Sequence, residues 1–306
     1  MQSPPTELLG KSRVRVGELF IHGFLALCAL VSVLTTAGII WVLVSESWHF
    51  FQQVSPIAFL TGTVWEPYTG AGSFGVLPLI CGTVLIAGGA LLVGVPIGLG
   101  VAVFMSEYAP PWFRSLLKPV LEVLAGIPTV VYGYFALTFV TPNLIQTWVP
   151  TASTFNGASA AIVVGIMIIP TIASLCDDAF RAVPRTLREA AYALSATKVE
   201  VTLRIVLPAA ASGVAAACIL ALGRAVGETM AVALAAGSTP AITLNPFRSL
   251  QTMTGYIVQV QTGDASHGGT PAFRSLYAVG LLLFLMTLGL NLLSTMIGRR
   301  FREKYE

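Results

Sequence analysis

The sequence predicts an all-α polytopic membrane protein with six spanning helices and both termini in the cytoplasm. Only 10% of its 306 residues are charged, whereas 55% are hydrophobic and the mean hydropathy is +0.81. Soluble domains carry about 25% charged residues, so this composition excludes a soluble enzyme, and its apolar content excludes a disordered chain. A helix that spans the hydrocarbon needs about 20 apolar residues, because lipid offers no partners to the backbone.

Six apolar segments meet this requirement and divide the chain in a regular way. They lie at residues 20–44, 76–105, 116–140, 158–175, 207–236 and 276–297. We therefore expect an N-terminal tail at 1–19, one membrane domain at 20–298 and a C-terminal tail at 299–306. The second segment is rich in glycine, which favours close approach of helix backbones.

The positions of the basic residues predict the orientation. Fourteen of the 17 Lys and Arg residues lie in the two tails and in the loops that follow the second and fourth segments, if Lys118 at the very start of the third segment is counted with the loop before it. Positive charge accumulates on the cytoplasmic side of membrane proteins, so both tails and the loop at 181–206 are expected there. The long outer segment at 237–275 is either a docking surface for a partner or a solvated connector.

Motifs for catalysis and for metal binding are missing from the sequence. The four cysteines are widely spaced and form no CxxC pair, which argues against a disulfide framework or a zinc site. No GxxxxGK[ST] phosphate loop occurs, and the cytoplasmic segments are too short for a nucleotidase domain. No span carries a Ser–His, paired-Asp or HExxH arrangement. We expect no catalytic site, metal or cofactor in this chain, and no nucleic-acid partner.

The loop at 181–206 contains a short amphipathic helix, predicted from Pro184 to Ala196. Its polar and apolar residues alternate at helical spacing. The polar residues are Arg185, Arg188 and Glu189, and the apolar ones are Leu187, Ala190, Ala191 and Leu194. The alanines are small and have no large apolar anchor beside them. This favours docking into a protein cleft over insertion among lipids.

This loop resembles the EAA loop of ABC importer permeases. In that family EAA is followed by three residues, Gly, nine residues and I-x-L-P. The sequence has Glu189-Ala190-Ala191 and Ile205-x-Leu207-Pro208 at that spacing, with Ser195 at the glycine position. The resemblance implies that the helix docks on an ATPase through Arg185, Arg188, Glu189, Ala190, Ala191 and Ser195. Serine tolerates a positive φ less well than glycine, so the resemblance leaves open whether the chain makes the same turn at Ser195.

Two further stretches are similar to phosphate importer permeases. They are LAGIPTVVYG at 124–133 and GRAVGETMA at 223–231, while Trp65-x-Pro67, Phe74-Gly75, Pro78 and Gly82-Thr83 resemble PstC-type subunits more than PstA-type ones. The resemblance implies an ABC type I importer permease in a bacterial inner membrane. It also implies a homologous PstA-like permease, a PstB-like ATPase dimer that carries ATP and Mg, and an extracytoplasmic PstS-like phosphate-binding protein.

Apart from Lys118 at the very start of the third segment, three charged residues lie inside the predicted spans, where such groups are costly and are candidates for function. Arg224 and Glu228 are four residues apart, so on one helix they share a face and can touch. They form either a structural ion pair or a site where the guanidinium meets an oxyanion and Glu228 orients it. Glu122 is expected near the cytoplasmic end of its span, paired with a cytosolic Lys or Arg or with Arg224.

Three hydroxyl groups are candidates for the same polar path. Thr229 follows Glu228, and Thr129 and Tyr132 follow the break that Pro128 makes in the third span. Hydrogen bonding between helices explains them equally well. Two other functions remain open from the residues: a permease for another oxyanion, such as molybdate or sulfate, and a stand-alone secondary transporter or channel, which has no use for an EAA loop.

Overall fold

The computed structural model describes residues 16–69, 72–263 and 270–300. These residues are mostly helical and contain one two-stranded hairpin. Four of their helices are long and apolar enough to cross a membrane, and two bent helix pairs give six spans if each pair counts as one. This confirms an all-α membrane protein. Residues 1–15 and 301–306 of the predicted tails lie outside the described residues, and the side on which each terminus lies stays a prediction.

The helices and strands follow one another along the chain, with a long connection at residues 236–252. In order, they are α1 (Val16–Phe51), α2 (Pro56–Thr61), β1 (Trp65–Glu66), β2 (Ser73–Phe74), α3 (Leu77–Val103), α4 (Pro111–Gly126), α5 (Thr129–Phe135), α6 (Gly157–Ala182), α7 (Arg185–Ala193), α8 (Lys198–Val201), α9 (Ala211–Val226), α10 (Met230–Ala235), α11 (Met253–Thr262) and α12 (Pro271–Arg300). Wider π-helical turns extend α3 over Phe104–Tyr108, α5 over Ala136–Ile145 and α8 over Thr202–Val206. The antiparallel hairpin pairs Trp65 with Phe74.

The helices α3 and α6 form the centre of the bundle, and glycines set their separation. A methyl group added at Gly94 would lie 2.6 Å from Ile168 Cγ1, and one added at Gly165 would lie 2.8 Å from Val93 Cβ. Ordinary carbon contacts are about 3.5–4.0 Å, so the two backbones approach closely only because these positions lack a side chain. The close approach expected for the glycine-rich second segment is confirmed at this contact.

A second apolar cluster closes one end of the bundle. Phe50 at the end of α1, Phe59 of α2, Trp65 of the hairpin and Tyr256 of α11 are all buried there. The Trp65 and Tyr256 rings meet edge to face with centroids 4.8 Å apart, a favourable aromatic geometry. The apolar stretch of α1 is otherwise exposed and packs along α12.

Several helices extend beyond the predicted spans, and in two of them residues outside the apolar run find partners. The first span was expected to end at residue 44, but α1 continues to Phe51 because Phe50 is buried in the aromatic cluster. The fourth span was expected to end at residue 175, but α6 continues to Ala182. Asp177 stays inside that helix because Arg114 neutralises its carboxylate.

The third and fifth spans are bent. A break at Pro128 was expected in the third span and is confirmed, whereas the fifth was expected as a single span over residues 207–236. In the third, Pro111–Gly126 meets Thr129–Trp148 at 84°, since Pro128 has no N–H and disfavours helical geometry at the residue before it. In the fifth, Lys198–Ala209 meets Ala211–Val226 at 70°, close after Pro208. A further break separates α9 from α10 at residues 227–229.

Candidate translocation site and coupling helix

The first candidate region is the bend between α4 and α5, which holds Thr129 and Tyr132. Tyr132 donates a 2.8 Å hydrogen bond to the carbonyl of Leu124. In an unbroken helix that carbonyl would bond the N–H of residue 128, which Pro128 lacks. The tyrosine is only 7% exposed, so in this conformation it stabilises the bend. Its place on a polar path stays a prediction.

The second candidate region is the break between α9 and α10. Arg224 lies in the last turn of α9, while Glu228 lies beyond the end of that helix at Val226. The Glu228 carboxylate accepts a 3.1 Å hydrogen bond from the backbone N–H of Ala231 and thereby caps α10. The shared helix face expected for Arg224 and Glu228 is therefore wrong. No ion pair joins them among the described residues.

Hydroxyl groups hold this break in place. Thr254 of α11 donates a 2.8 Å hydrogen bond to the backbone carbonyl of Glu228. Thr229, the predicted path residue, donates from its hydroxyl to the carbonyl of Gly227 at 3.1 Å. Non-helical backbone at membrane depth needs such partners, or a water-filled cavity, because lipid supplies none. The break is thus a built feature of the fold.

Arg224 makes its contact with α6 and leaves most of its donors available. Its guanidinium donates a 2.8 Å hydrogen bond to the hydroxyl of Thr171, and its side chain is exposed at the surface of this chain. Within the described residues it has no other side-chain hydrogen bond. The sequence analysis did not identify Thr171, although a hydroxyl directly after Pro170 in an apolar span could have indicated it.

The two regions are brought together by the packing of α5 against α10. A methyl group added at Gly133 would lie 2.9 Å from Leu234 Cβ and 3.1 Å from the Cα of Ala231. Gly133 is one turn after Thr129, and Ala231 is the residue whose N–H the Glu228 carboxylate accepts. Helices that start immediately after the two breaks therefore touch within their first turns.

Glu122 lines a cavity of about 220 Å³ between α4 and α6. Lys118, Thr171, Ser174 and Asp177 line the same cavity. The described residues contain no ion pair to Glu122 within 4 Å, so the partner expected for it is not in place in this conformation. Thr171 belongs both to this cavity and to the contact with Arg224.

The predicted amphipathic helix is present as α7, and it is shorter than expected. Pro184 is extended and precedes the helix, which ends at Ala193. Ser195 then adopts a φ of +62°, its N–H bonds the Tyr192 carbonyl, and the N–H of Ala196 bonds the Ala191 carbonyl. This is the Schellman arrangement that usually has glycine at the left-handed position. The turn expected at this glycine position is confirmed, with serine in the left-handed conformation.

The six residues expected to dock on an ATPase divide into two groups. Arg185, Glu189, Ala190 and Ser195 are exposed. Ala191 is buried against the chain itself, and the Arg188 guanidinium bonds to the ends of α3 and α6. The prediction that Arg188 and Ala191 contact an ATPase is therefore wrong, because both side chains face the interior of this chain.

Comparisons with known proteins agree with this architecture. The family described as binding-protein-dependent transport system inner membrane component matches residues 94–303. The chain is 35% identical over 262 residues to the probable ABC transporter permease protein YqgH of Bacillus subtilis, which covers 85% of this chain and 84% of that protein. It is 32% identical over 318 residues to the phosphate transport system permease protein PstC of Haemophilus influenzae, with 97% and 99% covered.

Solved structures show the same fold at low sequence identity. A bacterial alginate ABC transporter matches with a TM-score of 0.63 and 17% identity over 95% of this chain and 99% of that one. The MetNI methionine ABC transporter matches with a TM-score of 0.54 and 18% identity over 74% and 94%. The match to the family model and the relatives at 32–35% identity show that the chain belongs to the family of binding-protein-dependent transport system inner membrane components, among its PstC-type permeases.

Proposed function

We propose that this chain is the membrane-spanning permease subunit of an ATP-driven importer of inorganic phosphate. The observation that carries the proposal is the exposed guanidinium of Arg224 beside a broken membrane helix. A guanidinium offers planar, paired donors to the oxygens of phosphate. The relative from Mesorhizobium japonicum, 33% identical over 90% of this chain and 88% of its own length, is also a phosphate transport system permease protein PstC.

In this proposal the path runs past Arg224, with Thr129 and Thr229 near the starts of α5 and α10. Thr171 holds the guanidinium in position through its hydroxyl. The capping role of Glu228 keeps its carboxylate on the backbone of α10, so the carboxylate does not neutralise Arg224. The anion thus meets a cation whose remaining donors are free, and a second, homologous PstA-like permease forms the other half of the path.

The energy for transport comes from a separate ATPase. The chain has no phosphate loop of its own, so ATP and Mg are held by a PstB-like dimer in this proposal. The exposed face of α7, with Arg185, Glu189 and Ala190, is the docking surface for that dimer on the cytoplasmic side. A PstS-like phosphate-binding protein delivers the anion to the outer face. The chain lies in a bacterial inner membrane, with both termini on the cytoplasmic side.

A reconstituted complex of the two permeases, the ATPase dimer and the binding protein tests this proposal. Uptake of labelled phosphate, sulfate and molybdate into proteoliposomes is measured with and without ATP. We expect ATP-dependent uptake of phosphate and little of the other two anions. Preferred uptake of sulfate or molybdate would refute the substrate. Transport by this chain alone would refute the importer and favour a secondary transporter or channel.

A second experiment tests the docking surface. Ala190→Glu places a bulky charge on the exposed face of α7, whereas Ala190→Ser changes little volume. We expect the glutamate variant to lose the coupling between ATP hydrolysis and phosphate uptake, and the serine variant to keep it. Unchanged uptake by Ala190→Glu would contradict docking through this face.

A further inference from the structure

Arg188 binds three oxygens from two other helix ends. Its guanidinium donates at 3.0 Å to the carboxylate of Glu107, which lies in the π-helical extension of α3. It also donates at 2.7 Å to each of the carbonyls of Phe180 and Val183, at the end of α6. The Arg188 and Glu107 side chains are 15% and 6% exposed, so solvent screens this ion pair weakly.

We propose that Arg188 and Glu107 are positioning residues that fasten α7 to the ends of α3 and α6, so that a displacement of α7 moves both membrane helices. The inference rests on the proposed function, because it concerns how force from an ATPase reaches the transport path. The last carbonyls of a helix have no helical partner, and a cation at that end is favourable. The planar fork of arginine serves several acceptors at once, which a lysine ammonium does less well.

The same end of α6 is also fastened to α4. Asp177, one turn before Phe180, accepts from Arg114 near the start of α4 and lies 3.5 Å from the Nε of Arg181. Its side chain is 5% exposed, so the Arg114 pair is shielded as well. Movement of the α6 end therefore reaches α4, which leads to the bend at Pro128.

The helix α6 links this fastening to the candidate path. Thr171, which binds Arg224, lies nine residues before Phe180 on the same helix. At 1.5 Å per residue, about 14 Å of helix separates the two contacts. This stretch of α6 lies after Pro170, is helical without a break and packs on α3, so it moves as a rigid unit. A displacement of α7 is thus delivered to the residue that holds Arg224.

The test compares Arg188→Gln and Glu107→Gln with Arg204→Gln in the complete reconstituted complex. Arg204 is an exposed arginine of the same loop and takes no part in these contacts. Amide hydrogen exchange in α7 and the phosphate imported per ATP hydrolysed are measured together. We expect exchange in α7 to rise by about 10- to 100-fold in Arg188→Gln, the effect of losing hydrogen bonds to a charged group. We also expect the import ratio to fall while ATP hydrolysis persists.

The conservative variant separates positioning from simple stability. Arg188→Lys keeps the ion pair with Glu107 but not all three contacts, so we expect a ratio between those of wild type and Arg188→Gln. Glu107→Gln leaves the carbonyl contacts in place and provides the measurement if Arg188→Gln does not assemble. Wild-type exchange and a wild-type ratio in either glutamine variant would overturn the inference. If the wild-type complex imports no phosphate, the proposed function fails, and exchange in α7 still decides whether Arg188 fastens the helix.

Discussion

Replacing Gly133 with alanine tests the packing that brings the two broken helices together. The added methyl would lie 2.9 Å from Leu234 Cβ and 3.1 Å from Ala231 Cα. Since carbon atoms normally approach to about 3.5–4.0 Å, α5 and α10 must separate by roughly 0.5–1 Å. Overpacking of this size costs about 1–3 kcal/mol, and the better helix propensity of alanine returns about 0.5–1 kcal/mol. We expect a net loss of about 1–2 kcal/mol in the free energy of unfolding.

The assay is an SDS titration of the purified chain in mixed micelles, followed by tryptophan fluorescence. Gly100→Ala is the matched control, because nothing lies within 4 Å of a methyl group at that position. The control is expected to be as stable as wild type or slightly more so. We also expect Gly133→Ala to lower phosphate uptake by the assembled complex, because it moves the starts of α5 and α10 apart. Equal stability of the two alanine variants would refute the reasoning.

Two further predictions concern the turn after α7 and the partner of Arg224. Ser195→Gly removes the cost of a left-handed serine, so exchange in α7 should slow by about 2- to 5-fold, and faster exchange would contradict the reading of the +62° φ. Thr171→Val removes the acceptor that holds Arg224; because the arginine is exposed, we expect phosphate uptake to fall only about 3- to 10-fold. Thr287→Val, which removes a hydroxyl bonded within its own helix, is the control, and equal uptake by both variants would contradict a positioning role for Thr171.

The membrane class was predictable because it depends on composition and on segment length, and the predicted six spans agree with the structure if each bent helix pair counts as one. Apolar runs of about 20 residues have few alternatives to helices in lipid. The boundaries were less predictable, because they depend on tertiary partners. Asp177 lies inside α6 beside Arg181 of the same helix and is bonded by Arg114, a residue 63 positions earlier in the chain. No local pattern carries that information.

The candidate site was predictable in its residues but not in its geometry. The spacing of Arg224 and Glu228 indicates a contact only if the helix continues, and it ends between them at Val226. Tyr132 was expected to offer its hydroxyl to a path, yet Pro128 leaves the Leu124 carbonyl without a partner and the hydroxyl bonds there instead. In both places a backbone break decides what the side chain does.

For α7, too, the sequence predicts the local structure but not the contacts of its side chains. The amphipathic pattern at 184–196 predicts a helix there, and the structure has the helix α7. A pattern of single residues does not show that Arg188 is buried among oxygens from α3 and α6. The resemblance to the EAA loop does point to the turn at Ser195, because a residue that stands where the family has glycine is a candidate for a positive φ.

The most direct test of the central claim is phosphate uptake by the complete complex with Arg224→Gln. Glutamine keeps a planar group with N–H donors on a shorter side chain but removes the charge that attracts an anion. We predict that the variant complex assembles, that its ATPase still hydrolyses ATP, and that ATP-dependent uptake of phosphate is lost. Normal phosphate uptake by an assembled Arg224→Gln complex would contradict the claim that this guanidinium meets the transported anion.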